Sequence, residues 1–142
     1  MYVATCAETA ISEIRPHPGH FVSVGKFKCR ESLRVLDFSK PTFLDFPLTD
    51  VGLRCFDLVM SIEKDLSMPI TPERRPTYIS AQFIAELIRQ RGFDGVLDRS
   101  SVSKGKNLCT FFPRKMACVP NSATVFRTMA VFYDHEELPL PS

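Results

Sequence analysis

No run of apolar residues in this sequence approaches the roughly 20 needed to span a bilayer, which argues against a membrane-spanning helix. The opening MYVATCAETAISEIRP has no basic region followed by a long apolar stretch, so no secretory signal is expected from it. There is no CxxC pair. The five cysteines, at 6, 29, 55, 109 and 118, are odd in number and widely spaced, which argues against a zinc site or a disulfide framework. These absences predict a soluble, reduced, cytoplasmic protein. Charge of one sign is scarce too. Eighteen basic against 16 acidic residues leave +2, so no concentrated basic footprint points to duplex nucleic acid, while an anionic small molecule stays open. Neither internal repeats nor low-complexity segments are found, and no Walker, GxGxxG or GxSxG spacing occurs.

What is there is an ordinary globular composition, 44% hydrophobic and 24% charged over 142 residues, the size of one domain. Tyr2-Val3-Ala4 reads as a strand. Thr5 to Glu8 has capping-box spacing, predicting a helix whose buried stripe is Ala7, Ala10, Ile11 and Ile14 and which ends at Pro16 to Gly19. Glu8 and Glu13 flank that stripe on opposite sides, so one of them can border a cleft while the other faces elsewhere. Strands are expected at Phe21 to Phe27 and Leu33 to Phe38, paired or adjacent. A helix is expected from about Thr49 to Leu66, with Leu53, Phe56, Val59, Met60 and Glu63 at helical spacing. Thr71 to Pro76 reads as an exposed loop. The strongest periodicity is SAQFIAELIRQRG, with Ser80 as N-cap, Phe83, Ile84, Leu87 and Ile88 inward, and Gly92 as the left-handed terminator. Strands follow at Phe93 to Leu97, Asn107 to Phe112, Met116 to Val119 and Thr124 to Tyr133. Helices set among groups of short strands predict an α+β fold with mixed or antiparallel strands and flanking helices.

Few residues carry an obvious chemistry. His17 and His20 are separated by a Pro-Gly turn and lack further ligands, and His135 sits in an acidic tail, so no metal is expected. The stretch Arg99 to Lys106 offers three serines, three cations and a glycine between two strands. That suits phosphate or ribose oxygens, and equally a solvated hairpin. Glu13 by itself is an unremarkable helix-flank carboxylate, and Tyr2 and Tyr78 could stack on a flat ring or fill core.

The segments YVATCAETAISEIRP, Val22 to Phe27, Leu33 to Phe38 and YISAQFIAELIRQRGFDGVLDRSSVSKGKNLCTFF resemble the RES domain, a family named for an arginine, a glutamate and a serine. The likeness runs over residues 1–133, leaving 134–142 as a tail of a single domain. The literal tripeptide Arg30-Glu31-Ser32 is not the family's triad. The resemblance implies an ADP-ribosyltransferase-like fold and a toxin that cleaves the nicotinamide–ribose bond of NAD+ by phosphorolysis or hydrolysis, or transfers ADP-ribose, beside an antitoxin protein. It implies Glu13 and Ser100 as catalytic residues, with Tyr2, Tyr78, Gln82, Ser101 and Asn107 as substrate contacts, and no cofactor beyond NAD+ as substrate. Two departures stand out. The family's arginine lies on a strand upstream of the YVA opening, before the point where this sequence starts, and Asp98 occupies a position where an aromatic is common. They keep open the alternative of an inactive RES-like domain acting as a protein-binding module.

Overall fold

The computed structural model describes residues 1–67 and 75–132, the side chains of 65–67 and 75–81 excepted. Among the described residues the order of elements is β1 (Tyr2–Ala4), α1 (Ala7–Glu13), β2 (Phe21–Val24), β3 (Phe27–Cys29), β4 (Val35–Asp37), α2 (Asp50–Ser67), α3 (Arg75–Gln90), β5 (Gly95–Arg99), β6 (Lys106–Thr110), β7 (Met116–Cys118) and β8 (Thr124–Arg127), with short 3-10 turns at Phe43–Asp45 and Pro113–Lys115. The fold is α+β.

The main sheet has the order β1-β6-β5-β4. β5 and β6 form an antiparallel hairpin, β1 joins β6 antiparallel, and β4 runs parallel to β5. The expected pairing of the Phe21 to Phe27 and Leu33 to Phe38 segments does not occur. The first segment is split at Gly25-Lys26 into β2, which pairs with β8, and β3, which pairs with β7. The break is bridged by Val119 N–H to Lys26 C=O, and by Lys26 N–H to the Ser122 hydroxyl, so the four short strands make one interrupted antiparallel ribbon. Leu33 to Phe38 contributes β4 to the other sheet because its apolar residues meet the buried face of β5.

That face is the core. Phe38, Ile88 and Val96 are buried together, with Leu36, Val59, Ile62, Ile84, Phe93 and Phe111 packed around them. Phe38 is 3% exposed, and burying such a ring is worth roughly 1.5–3 kcal/mol. α2 agrees with the expected helix, although Leu53 and Met60 face outward and Ile62 takes an inward place. α3 begins five residues before the expected cap at Ser80. Pro76 sits within its first turn, where a missing N–H costs no helical bond. Ile84 and Ile88 turn inward as expected, whereas Phe83 and Leu87 are exposed. Gly92 ends the segment at φ +79°, a conformation that costs glycine little. Arg75 and Pro76 are therefore helical rather than loop. The rest of that expected loop, 71–74, lies outside the described residues. So do Tyr133 and the tail with His135. β8 stops at Arg127.

The first helix departs from its predicted cap as well. Cys6 is the N-cap and makes no side-chain capping bond. The Thr5 hydroxyl accepts instead from Lys106 N–H at 3.0 Å, because the β1–β6 ladder ends there and claims it. The stripe is also shifted. Thr9 is fully buried and Ile14 is 61% exposed, since α1 lies against the β5–β6 hairpin and presents Thr9 to the Ser103 hydroxyl at 2.7 Å. Gly105 makes that approach feasible, for a methyl group there would overlap the Thr9 hydroxyl. Among the described residues, no helix is long and apolar enough to cross a membrane.

Candidate active site

Glu13 is the last residue of α1, at the electronegative end of the helix, where a carboxylate is disfavoured by the peptide dipoles. Two donors from the β5–β6 hairpin offset this. The Ser100 hydroxyl donates to Glu13 Oε1 at 2.8 Å and Asn107 Nδ2 donates to the same oxygen at 2.6 Å. Hydrogen bonds to an ionised group contribute roughly 1.5–3 kcal/mol each. Glu13 Oε2 has no donor among the described residues, and Glu13 lines a cleft of about 620 Å³. The other carboxylate of α1, Glu8, is exposed and does not line it.

The hairpin is built to hold these donors. Ser100 N–H bonds to Gly105 C=O across the mouth of the turn, and the Ser100 hydroxyl also accepts from Val102 N–H at 3.2 Å. Asn107 faces Asp98 across the β5–β6 ladder and Ala4 across the β1–β6 ladder, and is 1% exposed. Most polar side chains of the Arg99 to Lys106 stretch are engaged within the fold, Ser101 and Lys104 staying exposed. Ser100 and Ser103 turn toward α1, Arg99 is paired with the buried Glu63 of α2 through Nε at 3.0 Å, and Lys106 with Asp37 at 3.5 Å. The loop braces the helix that carries Glu13.

The cleft lies between β1 and α1 on one side and the β2–β8 ribbon on the other. Tyr2, Val22, Phe27, Thr124 and Phe126 line it, and Glu13 and Lys26 are its two charged residues. Lys26 forms no ion pair among the described residues. The Tyr2 ring is 54% exposed. Its hydroxyl is pushed well above the usual phenol range, chiefly by burial and then by the charges of Asp98 and Glu13, with the Asn107 amide working the other way. Tyr2 therefore keeps its phenol proton through the neutral range, and its half-exposed side chain lines the cleft.

The structure thus brings Tyr2, Glu13, Ser100 and Asn107 together. Ser101 is exposed in the hairpin turn, and Gln82 is exposed on α3 and does not line the cleft. Tyr78 lies on α3, its side chain outside the description. Two residues not singled out as contacts belong to the site, Lys26 and Asp98. The strand-breaking Gly25-Lys26 pair was the available signal for the first. Asp98 is 8% exposed on β5, the strand that leads into Ser100, an unusual burial for a carboxyl. No grouping of three or more His, Cys, Asp or Glu residues able to hold a metal occurs among the described residues. His17 and His20 meet edge to face instead, their rings 5.4 Å apart.

A family model described as the RES domain matches residues 1–139, nearly the whole chain. The chain belongs to the RES domain family. No curated protein and no solved structure matches it. Within this RES domain, the glutamate and serine positions taken from the resemblance, Glu13 and Ser100, are joined by the 2.8 Å hydrogen bond described above.

Proposed function

We propose that this RES domain cleaves the nicotinamide–ribose bond of NAD+, on an ADP-ribosyltransferase-like scaffold. The observation that carries the reading is the Glu13 carboxylate, held through one oxygen by Ser100 and Asn107 at the wall of a cleft of dinucleotide-compatible size. In the reaction the C1′–N bond breaks with its electron pair leaving on nicotinamide, which departs neutral. An oxygen of phosphate, water or a protein side chain bonds to C1′ and its proton is released. The ribose passes through an oxocarbenium-like state, and the unengaged Oε2 of Glu13 is suited to stabilise that positive charge or to accept a ribose hydroxyl. Ser100 and Asn107 hold the carboxylate in place, the exposed Tyr2 ring offers a stacking face, and Lys26 offers a cation for the pyrophosphate. A ligand with a cationic ring and an anionic linker matches a cleft that has one carboxylate and one ammonium. The same reading implies a cytoplasmic toxin held in check by an antitoxin protein.

The test is nicotinamide release from NAD+ by the purified chain, with and without phosphate, beside Glu13→Gln. Glu13-dependent release is expected, with a loss of at least about a hundredfold in the variant. Dependence on phosphate identifies phosphorolysis. Release that is equal in the variant would refute the site. A second reading, a binding module without turnover, draws on the outer edge of β1, which has no strand partner among the described residues and offers unpaired backbone groups to another protein. Absence of release from folded protein would favour it.

A further inference from the structure

Asn107 poses a problem that its bond to Glu13 does not solve. Its Oδ1 is buried and has no hydrogen-bond partner, and a buried acceptor left without a donor costs roughly 1–3 kcal/mol. The bond to Glu13 fixes the amide from one end only, and turning it over would present oxygen rather than N–H to Glu13 and break the 2.6 Å bond. The residue directly across the ladder is Asp98, itself buried, and facing cross-strand pairs have side chains about 4.5–5.5 Å apart at Cβ, within reach of each other. An ionised carboxylate has no hydrogen to give. A neutral carboxyl group has one.

We propose that Asp98 is a positioning residue that, as the neutral acid, donates its carboxyl hydrogen to Asn107 Oδ1 and so holds the Asn107 amide with its N–H groups toward Glu13. The result is a relay of three side chains from three segments, Asp98 to Asn107 to Glu13, with Ser100 joining at the last. Burial first, and then the negative charge of Glu13, push the Asp98 carboxyl up to about 7, so that the donor is present below neutrality and withdrawn above it. The titratable groups acting on or against Asp98 are Glu13 of α1 and Tyr2 of β1, with Cys109 two residues further along β6 opposite Val96. Next along the strands stand the Arg99–Glu63 pair with α2 and the Lys106–Asp37 pair with β4, and α3 adds the exposed Glu86–Arg89 pair. Tyr2 is the competing donor, because its neutral hydroxyl lies near the same amide.

The chain has two asparagines, Asn107 and Asn121, so labelling with 15N-asparagine resolves the Asn107 side-chain amide directly, and Asn121→Gly assigns it. In the parent chain this signal is expected to move with a midpoint near pH 7. Asp98→Asn, which keeps a neutral donor and adds a third labelled amide of its own, is expected to hold the Asn107 signal at the low-pH position up to pH 9. Asp98→Ala, neutral but without a donor, is expected to hold the high-pH position at every pH. If Ala instead behaves like Asn, the Asp98 charge alone moves the signal and the proposal is overturned. If Tyr2→Phe abolishes the low-pH position, the donor is Tyr2 and the proposal is likewise overturned. The kinetic consequence rests on the NAD+ reading above. There kcat is expected to fall about tenfold between pH 6 and pH 8 with KM unchanged, and to be flat in Asp98→Asn. An amide that titrates as described in a chain that releases no nicotinamide would overturn the NAD+ reading and support the relay. Release with an amide indifferent to Asp98 would do the reverse.

Discussion

Replacing Asp98 by asparagine changes how the stability of this protein depends on pH, and the sign follows from where the proton sits. In the folded chain the Asp98 carboxyl keeps its proton to about pH 7, whereas unfolded it gives it up near the ordinary value of 3.8. Between these values the native state binds more protons than the unfolded state, so stability falls as pH rises across that interval and is lowest above pH 7. A separation of about three pH units at 1.36 kcal/mol per unit sets a ceiling of about 4 kcal/mol. Screening of a carboxyl that is not fully removed from solvent reduces the expected effect to about 2 kcal/mol. Asparagine has nearly the same shape and no charge to bury. The variant is therefore expected to match the parent near pH 4 and to exceed it by about 2 kcal/mol at pH 8, roughly 4–8 °C in Tm for a chain of this size. Urea unfolding of both proteins at pH 4.5, 6, 7 and 8 measures this. Other titrating groups, such as Asp37 and Asp94, cancel in the difference between the two chains. A difference constant across the series would refute the reasoning, because it would mean that Asp98 binds its proton alike in the folded and the unfolded chain.

Lys26→Ala is expected to raise KM for NAD+ about tenfold with kcat little changed, since an ammonium facing an anionic linker contributes binding and not chemistry; initial rates at two salt concentrations check it, and the parent alone should weaken with salt. Gly105→Ala is expected to cost about 1–3 kcal/mol, because the added methyl group displaces the Thr9 hydroxyl and with it the bond to Ser103 that seats α1. An unchanged urea midpoint would show that α1 is not packed against the hairpin in solution.

Much of the secondary structure was legible because it is local. The YVA strand, the helix from Asp50 to Ser67, the helix ending at Gly92 and the hairpin strands all follow from periodicity and from turn residues close in sequence. The misreadings arise where a distant group competes for a local one. Thr5 has the spacing of a helix cap, but its hydroxyl is taken by Lys106, 101 residues away. Phe21 to Phe27 alternates like one strand, and nothing in the alternation shows the interruption at Gly25-Lys26 that lets Ser122 reach the backbone.

The candidate site divides in the same way. Residue types alone placed Glu8 and Glu13 on opposite flanks of one helix, so that one of the two could border a cleft, and made the serines after β5 a polar turn; the family resemblance singled out Glu13. They could not say that this turn would spend its hydroxyls on α1 rather than on a ligand, nor that Glu13 would meet Ser100 across 87 residues and Asn107 across 94. Sequence determines which groups are available and the local shapes that present them, since backbone propensities and hydrophobic spacing act over a few residues. The tertiary structure decides which groups meet, because the partner of a buried polar atom is set by the order and register of strands. In this protein the order β1-β6-β5 places Tyr2, Asn107 and Asp98 around one glutamate.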